Sequence, residues 1–322
     1  MSWFLFALIC TLGWGCADLF YKMGSDEEDR YSHLRIAVWV GIVMGVTALV
    51  LMPFSESRLT LSTLPVNALR YAPASLGYIV SMVVGYAGLR YLELSVASPV
   101  QNASGGLSAV CMVVYFLLTG RITDIGEAYS ALDLAGTVII VAGVIALAIV
   151  EQRLSREENT LAPDERKYRF GALALLFPLL YCLFDTLGTA ADGIILDEEV
   201  GLGLGEIDVL VLYGLTFLLA GLCAWVFLWV REKKVYNPFA LKTEWPKAVA
   251  ALCEEFGQVF YVFAFARDPV LAAPMIGSYC VVSLLLSRVF LKEKLRAPQY
   301  ACVLAVVAGI ILLAVSEGLS YT

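Results

Sequence analysis

FGALALLFPLLYCLFDTLGTAADGIIL, residues Phe170–Leu196, is long and apolar enough to cross a bilayer, yet it carries Asp185 in its interior. A carboxylate at that depth costs about 3 kcal/mol on insertion scales and normally faces a cavity or a partner. An earlier stretch matches it: at one constant offset, Asp18 aligns with Asp185 and Trp14 aligns with Tyr181. Each acid therefore follows an aromatic residue by one helical turn. We expect the two acids to face each other across a functional cavity.

The composition indicates an integral membrane protein. Of the 322 residues, 60% are hydrophobic and 16% are charged, whereas soluble domains carry about 25% charged residues. The mean hydropathy is +0.79. Membrane spans are expected to be helices, because backbone polar groups in lipid must be satisfied within the segment. The lipid bilayer is therefore an expected partner and nucleic acid is not. The opening MSWFLFALIC lacks a basic region and a cleavage site, so it is predicted to be a first span and not a signal peptide.

The sequence predicts no metal site and no cofactor. All eight cysteines lie in apolar segments, which is typical of small packing residues and not of disulfides or metal ligands. A phosphate-binding loop of the form GxxxxGK followed by Ser or Thr is absent from the sequence. Any transport would therefore be driven by an ion gradient or by the gradient of the solute itself.

Stretches of roughly 20 apolar residues predict ten transmembrane helices. They are Trp3–Met23, Leu34–Met52, Tyr71–Arg90, Val96–Leu118, Asp133–Val150, Phe170–Leu196, Ile207–Val230, Ala248–Ala266, Val270–Leu291 and Gln299–Ser316. The most polar run of the chain, Glu151–Arg169, separates the fifth span from the sixth. We therefore predict an all-α polytopic fold in three parts. Residues 1–151 form a first five-helix unit, residues 152–169 a polar linker, and residues 170–322 a second five-helix unit.

The two units are related in sequence. Span five contains VAGVIALAIVE (Val141–Glu151) and span ten contains VAGIILLAVSE (Val307–Glu317). Span four contains VASPVQNASGGLS (Val96–Ser108) where span nine contains LAAPMIGSYCVVS (Leu271–Ser283). Because each unit has an odd number of spans, the second must enter the membrane in the opposite sense. Such inverted repeats are common in secondary transporters, where the solute site lies near the midplane between the repeats.

Loop charges predict the orientation. The loops after odd-numbered spans, with their flanks, hold all but four of the 22 Lys and Arg residues. The four on the other side are Arg58, Arg70, Arg121 and Arg267. Positive loops tend to stay in the cytosol, so we expect both termini on the outside.

These features resemble the drug/metabolite transporter superfamily, in its ten-span branch built from two EamA-type domains. The resemblance rests on Trp14-Gly15, on the Ala-x-Pro openings of spans four and nine, and above all on FLKEKLRAPQYACVLAVVAGIILL (Phe290–Leu313), with Glu293 after span nine. The first unit departs from this closing pattern, and span six lacks a Trp. The resemblance implies a basket of helices around a central cavity, alternating access without nucleotide, and substrates that include amino acids, nucleotide-sugars, choline-like amines and drugs.

Three helical stripes combine acids with polar or aromatic residues. They are Trp14, Asp18 and Tyr21 on span one, Tyr181, Asp185, Gly188 and Asp192 on span six, and Glu254, Gln258, Tyr261 and Phe265 on span eight, with Glu255 beside the last. Few basic residues lie at comparable depth, so these acids are either protonated or await a cation. Two alternatives stay open: Asp18 could pair with Lys22 one turn on, and Asp192, near the end of span six, is expected to be a solvated loop acid.

Aromatic rings near these acids favour an organic ammonium ligand, because electron-rich ring faces attract such groups. The candidate solute-binding residues are Asp185, Trp14, Tyr181, Tyr261, Tyr279, Tyr78, Gln101, Ser104 and Gln258. The candidate sites for a coupling proton or cation are Asp18, Glu254, Glu255 and Asp185. Ordinary helix packing is the alternative for any single aromatic residue, and Ser104 could simply join two helices.

We therefore expect a secondary transporter in the cytoplasmic membrane, and no enzyme. Its solute is expected to be a small organic molecule, a cation or amine, with neutral or zwitterionic metabolites such as amino acids as the alternative. A membrane scaffold or sensor is a more remote possibility. An intramembrane aspartyl protease is another, since YCLFD (Tyr181–Asp185) and GLGE (Gly203–Glu206) faintly resemble its YD and GxGD motifs.

Overall fold

A computed structural model of the chain describes residues 2–320, apart from positions 27, 56–58, 61, 93, 162–170 and 203. This described part is helical and contains no strand. The α-helices are α1 (Trp3–Gly24), α2 (Ser32–Leu51), α3 (Leu64–Gly88), α4 (Leu94–Asn102), α5 (Ser104–Thr119), α6 (Ile125–Ala128), α7 (Ala131–Leu161), α8 (Leu176–Leu196), α9 (Glu206–Glu232), α10 (Leu241–Phe265), α11 (Pro269–Gly277), α12 (Tyr279–Leu286) and α13 (Ala297–Ser320). A short 3₁₀ segment, Met52–Phe54, extends α2, and another, Gly171–Leu175, precedes α8. A π segment, Ser287–Leu291, follows α12.

The predicted all-α polytopic fold is confirmed. Nine helical stretches of the described chain are long and apolar enough to cross a membrane. The remaining predicted span corresponds to α3, a helix of 25 residues that is less apolar because tyrosines, glycines, serines and Pro73 interrupt its aliphatic residues. Of the predicted linker, residues 162–169 lie outside the described residues, and its first part is helical because α7 continues to Leu161. The boundaries of the two five-helix units stay a prediction.

Spans four and nine are each broken in the middle. The first break lies at Ala103, between α4 and α5, and the second at Ser278, between α11 and α12. Each break follows an intrahelical proline by four residues, Pro99 in α4 and Pro274 in α11. Side chains beside each break donate hydrogen bonds to nearby carbonyl oxygens. Asn102 Nδ2 donates to the oxygen of Ser98 at 2.8 Å, and Ser278 Oγ donates to the oxygen of Met275 at 2.5 Å.

The main helix contacts join the first half of the chain to the second. Helix α1 packs along α10, α3 along α8, α2 along α9, α5 along α11, and α7 along α13. If α1 corresponds to α8 and α3 to α10, as the sequence repeat requires, then the pair α1–α10 maps onto the pair α8–α3. Both pairs occur, so the packing has the two-fold pattern that a duplication would produce.

Glycines line the crossings between the halves. The facing pairs are Gly13–Gly257, Gly41–Gly221, Gly77–Gly188, Gly105–Gly277 and Gly136–Gly309. At Gly77, for example, an added Cβ would lie 2.8 Å from the Cα of Gly188, closer than atoms normally approach. Small residues let helix backbones come together in a membrane, where packing and not hydrophobicity drives helix association. At the Gly77–Gly188 and Gly41–Gly221 crossings the backbones are therefore too close to admit a larger side chain without movement of the helices.

Many apolar side chains face the surface, and some polar groups are buried. Large apolar side chains are exposed on the helices, among them Leu69, Val110, Leu118, Val138, Leu219 and Leu304. Buried residues include carboxylates, amides and hydroxyls. This arrangement suits a protein surrounded by lipid. It also concentrates the polar groups between the two halves, where the helix breaks meet α1, α3, α8 and α10.

Candidate functional site

A cavity lies between the two halves. It is lined by ten of the twelve residues that the sequence nominates: Trp14, Asp18, Tyr78, Gln101, Ser104, Tyr181, Asp185, Glu254, Tyr261 and Tyr279. Both helix breaks reach it, since Asn102 and Gly277 also line the wall. The volume open to the centres of water molecules is about 50 Å³, which is room for about four waters. An organic solute would therefore require the cavity to widen.

Asp185, on α8, lines the cavity next to the break in span four. The hydroxyl of Ser104, the first residue of α5, donates to Asp185 Oδ2 at 2.6 Å. This is the only hydrogen bond to the Asp185 carboxylate among the described residues, and no basic side chain lies against it. Unlike an acid buried in an ion pair, it keeps lone pairs available for a ligand.

Asp18 occupies the corresponding position on α1 and has more partners. Its Oδ2 accepts hydrogen bonds from Ser98 of α4 at 2.5 Å and from Ser283 of α12 at 2.7 Å. The alternative pairing with Lys22 does not occur, because the Lys22 ammonium donates instead to the carbonyl oxygens of Leu89 and Leu92 at 2.7 and 2.8 Å. Asp18 thus joins both broken spans through hydroxyl groups.

The acids of α10 point in different directions. Glu254 lines the cavity, and its backbone oxygen accepts a hydrogen bond from Trp14 Nε1 at 3.1 Å. Glu255 does not line the cavity and lies beside Thr47 of α2. Gln258, which was expected to bind the solute, is 1% exposed and lies behind the wall. The structure therefore brings Glu254 to the cavity and keeps Glu255 and Gln258 out of it.

Aromatic side chains form one continuous face of the cavity. Trp14 stacks on Tyr261 with ring centroids 5.2 Å apart and meets the edge of Tyr279 at 5.8 Å. The Tyr261 hydroxyl is hydrogen-bonded to that of Tyr78. Tyr181 fits against Gly85 of α3, where an added Cβ would lie 2.6 Å from the tyrosine ring. Ring faces and carboxylates thus line the same space.

Sequence reasoning missed several residues near the cavity. Tyr86, Tyr213 and Asn102 line it, and the spacing of Tyr86 two turns after Tyr78 was a signal for the first. The expectation that Asp192 is a solvated loop acid is wrong. Asp192 is completely buried, because α3 and α10 cover the end of α8 where it lies.

The ionisable side chains that line the cavity are acidic or phenolic. Three carboxyl groups line it, those of Asp18, Asp185 and Glu254, and none of the described lining residues is Lys, Arg or His. Carboxylates at this depth need either protons or a cation. The arrangement can therefore hold a positively charged group against acidic oxygens and aromatic faces.

The two ends of the helix bundle are held by different contacts. Where α4 begins, the Glu293 carboxylate accepts hydrogen bonds from the backbone nitrogens of Leu94 and Ser95, both at 3.2 Å. An acid suits this position, because a helix N-terminus carries free N–H groups and partial positive charge. Where α11 begins, Arg121 pairs with Asp197 at 3.2 Å. Both residues line a pocket with about 380 Å³ open to the centres of water molecules.

Comparison with known proteins agrees with this architecture. Residues 200–315, which lie within the predicted second unit, match the EamA-like transporter family. No curated protein matches the sequence. One solved structure, described only as the crystal structure of a protein, is 16% identical and superposes with a TM-score of 0.59 over 98% of each chain. At that identity the likeness concerns the fold alone. Residues 200–315 therefore form an EamA-like transporter domain, and the apolar helices of the described chain are those of a multi-pass membrane protein.

Proposed function

We propose that this protein is a secondary transporter that moves a small organic cation or amine across the cytoplasmic membrane by alternating access. Its solute site is the cavity between the two halves, which we take to be inverted repeats. Asp185 is the principal charged contact, and Trp14, Tyr181, Tyr261 and Tyr279 surround the solute. Gln101, Ser104 and Tyr78 complete the polar wall. No nucleotide drives the cycle.

One observation carries this proposal: three carboxyl groups and several aromatic rings line the cavity, and no basic side chain does so among the described lining residues. An anion would meet only repulsion there. An organic ammonium group would find both a counter-charge and ring faces, an arrangement that recurs in sites for such cations. Asp185 is the best contact, because Ser104 is its only described hydrogen-bond donor.

The broken spans support the location of the site and the mechanism. In transporters built from inverted repeats, solute sites lie at discontinuous helices near the midplane. Here Asn102 and Ser104 flank one break, Gly277 and Tyr279 flank the other, and all four line the cavity. The cavity is small in this state, so binding and release require the halves to move apart at one end. The closest contacts at the Gly77–Gly188 and Gly41–Gly221 crossings are to backbone atoms, so the helices there can slide past each other without side chains having to disengage.

A thermal-shift screen tests the class of solute. Purified protein in detergent is heated with amines, amino acids or nucleosides, and a ligand of the folded state raises its apparent stability. We expect amines, choline among them, to raise the Tm. If amino acids raise the Tm and amines do not, the solute is zwitterionic and the cationic assignment is wrong.

Asp185→Asn tests the role of the acid. Removing one partner of a desolvated charge pair costs about 2 kcal/mol or more, so we expect the affinity for the stabilising amine to fall by about 30-fold or more. Asp208→Asn is the matched control, since Asp208 is a buried aspartate that lies on α9 outside the cavity. Uptake into proteoliposomes and ligand-dependent Tm are measured for both. Unchanged affinity in Asp185→Asn would refute the assignment.

A further inference from the structure

A second polar cluster lies behind the wall of the cavity. It is built around Asp192, near the end of α8, which is completely buried and does not line the cavity. Tyr71 and Tyr78 of α3 and Tyr261 of α10 surround it. Two of these, Tyr78 and Tyr261, also line the cavity. They therefore form a partition with the cavity on one side and Asp192 on the other.

Hydroxyl groups run through this partition. The Tyr78 hydroxyl is hydrogen-bonded to the Tyr261 hydroxyl, lies 3.2 Å from Thr189 Oγ1, and reaches Asp192 Oδ2 at 3.5 Å. Thr189 lines the cavity as well. A hydroxyl can accept one proton while it donates another. These side chains thus connect the cavity to the buried carboxylate by groups that can pass a proton.

Two atoms of the cluster make no hydrogen bond of ordinary geometry. Among the described residues, these are Asp192 Oδ1 and the Tyr71 hydroxyl, although Tyr71 lies beside the Asp192 carboxylate. Both side chains are completely buried. Native proteins satisfy nearly all buried polar atoms, so an orphaned carboxylate oxygen requires an explanation. A carboxylate oxygen is an acceptor, and a positively charged species is the simplest occupant.

The neighbours of Asp192 indicate which species this is. The titratable groups within electrostatic range of it are the tyrosine hydroxyls of α3, α9 and α10, namely Tyr71, Tyr78, Tyr213 and Tyr261. Asp185 lies two turns earlier on α8 itself. None of these is a cation. A metal ion would be expected to have several carbonyl or carboxylate ligands, whereas this site offers a single carboxylate among hydroxyls, which suits a proton.

We propose that Asp192 is the binding site of the coupling proton, separate from the acids that contact the solute, and that Tyr78 and Tyr261 connect it to the cavity. This inference rests on the proposed transport function. A hydronium ion in the cavity gives its extra proton to the Tyr261 hydroxyl and remains as water. Tyr261 passes its own proton to Tyr78, and Tyr78 passes its own to the Asp192 carboxylate. The product is a neutral carboxylic acid, and both tyrosines are left neutral.

The position of Asp192 links the proton to the solute. Asp185 and Asp192 are seven residues apart on one helix, so they share a face and stand about 10 Å apart along its axis. Two unit charges at that distance in a protein interior change each other's cation affinity by roughly tenfold. When Asp192 takes up a proton, Asp185 loses a like charge nearby and holds a cationic solute less tightly. Proton entry therefore favours solute release, as an exchanger requires.

Infrared spectroscopy tests the protonation without any solute. Difference spectra of the full-length protein between acid and alkaline buffer are recorded for the wild type, Asp192→Asn and Asp208→Asn. We expect the wild type and Asp208→Asn to share one component of the protonated-carboxyl band that is missing from Asp192→Asn, beside the components of the other buried acids. Tyr71→Phe, which removes a hydroxyl beside the Asp192 carboxylate, should shift the pH midpoint of this component. An Asp192→Asn spectrum that keeps every carboxyl component of the wild type overturns the proposal.

Flux measurements test the coupling, with labelled choline as the probe amine in proteoliposomes. Asp192→Asn should retain exchange of choline for choline but lose accumulation driven by a pH gradient, at least tenfold relative to the wild type. Accumulation that survives in Asp192→Asn, or that follows a sodium gradient in the wild type, overturns the proposal. If the wild type exchanges no choline, the solute assignment fails instead, and the infrared result alone decides the role of Asp192.

Discussion

Replacing Gly77 with valine should destabilise the protein by separating α3 from α8. A Cβ at this position would lie 2.8 Å from the Cα and 2.9 Å from the nitrogen of Gly188, and 3.0 Å from the oxygen of Phe184. All three are backbone atoms, which cannot swing aside as the end of a side chain can. Ordinary contact begins at 3.4 Å, so the two helices must move apart by about 0.6 Å.

The size of the effect follows from the packing. Overfilling a well-packed site costs about 1–3 kcal/mol, and the better helix propensity of valine returns only a few tenths of a kcal/mol. Each kcal/mol lowers the Tm by about 2–4 °C in a domain of 150–250 residues. We therefore expect Gly77→Val to lower the Tm by several degrees, measured by thermal unfolding in detergent.

Gly318→Val is the matched control for this substitution. Gly318 lies near the end of α13, and a Cβ there would meet nothing within 4 Å. We expect its Tm to stay within about 1 °C of the wild type, since surface substitutions away from packed contacts change stability by only about 0.5 kcal/mol. Equal shifts in the two variants, or no loss in Gly77→Val, would show that the close crossing does not limit the packing of α3 against α8.

Two further predictions concern the ends of the bundle. Glu293→Gln weakens the hydrogen bonds to the N-terminus of α4 and should lower stability by about 1 kcal/mol, read as Tm; a Tm equal to that of the wild type would contradict it. Burial raises the pKa of Asp268 from 3.8 to about 7, although the nitrogen of Leu271 donates to it. The folded state therefore binds a proton on Asp268 more tightly than the unfolded state does. The contribution of Asp268 to the free energy of unfolding is complete below pH 3.8 and is lost as the pH rises through about 7. Asp268→Asn should flatten the pH dependence of the Tm in that window, and an unchanged profile would exclude this residue as its source.

Much of the fold could be read from the sequence because it depends on local patterns. Apolar runs of span length predict the helices, and Asp185 stands out because a lone carboxylate in such a run is costly. The positions of the breaks could not be read in this way, since Ala103 and Ser278 are not helix breakers and Pro99 and Pro274 lie four residues before them. They occur where Gly105 and Gly277 bring the two halves into close contact, which is a property of the tertiary structure.

The chemistry of the site was predicted less completely for the same reason. Asp18 and Asp185, which helical spacing singled out, line the cavity, but their serine partners come from helices distant in the chain. Asp192 was misjudged because its position near the end of an apolar run suggested solvent. Its burial depends on α3 and α10, which no inspection of span six alone could reveal.

The pairing of helices across the halves has a consequence for biosynthesis. When the ribosome has completed only α1 to α7, the main partners of α1, α2 and α3 do not yet exist. Asp18 must enter the bilayer before Ser283, one of its two hydroxyl donors, has been synthesised. The early helices therefore have to wait in lipid or beside an insertion factor, and a nascent chain stalled at this point would be a substrate for membrane quality control. Neither half can complete its folding ahead of the other, so the two halves reach their native packing together.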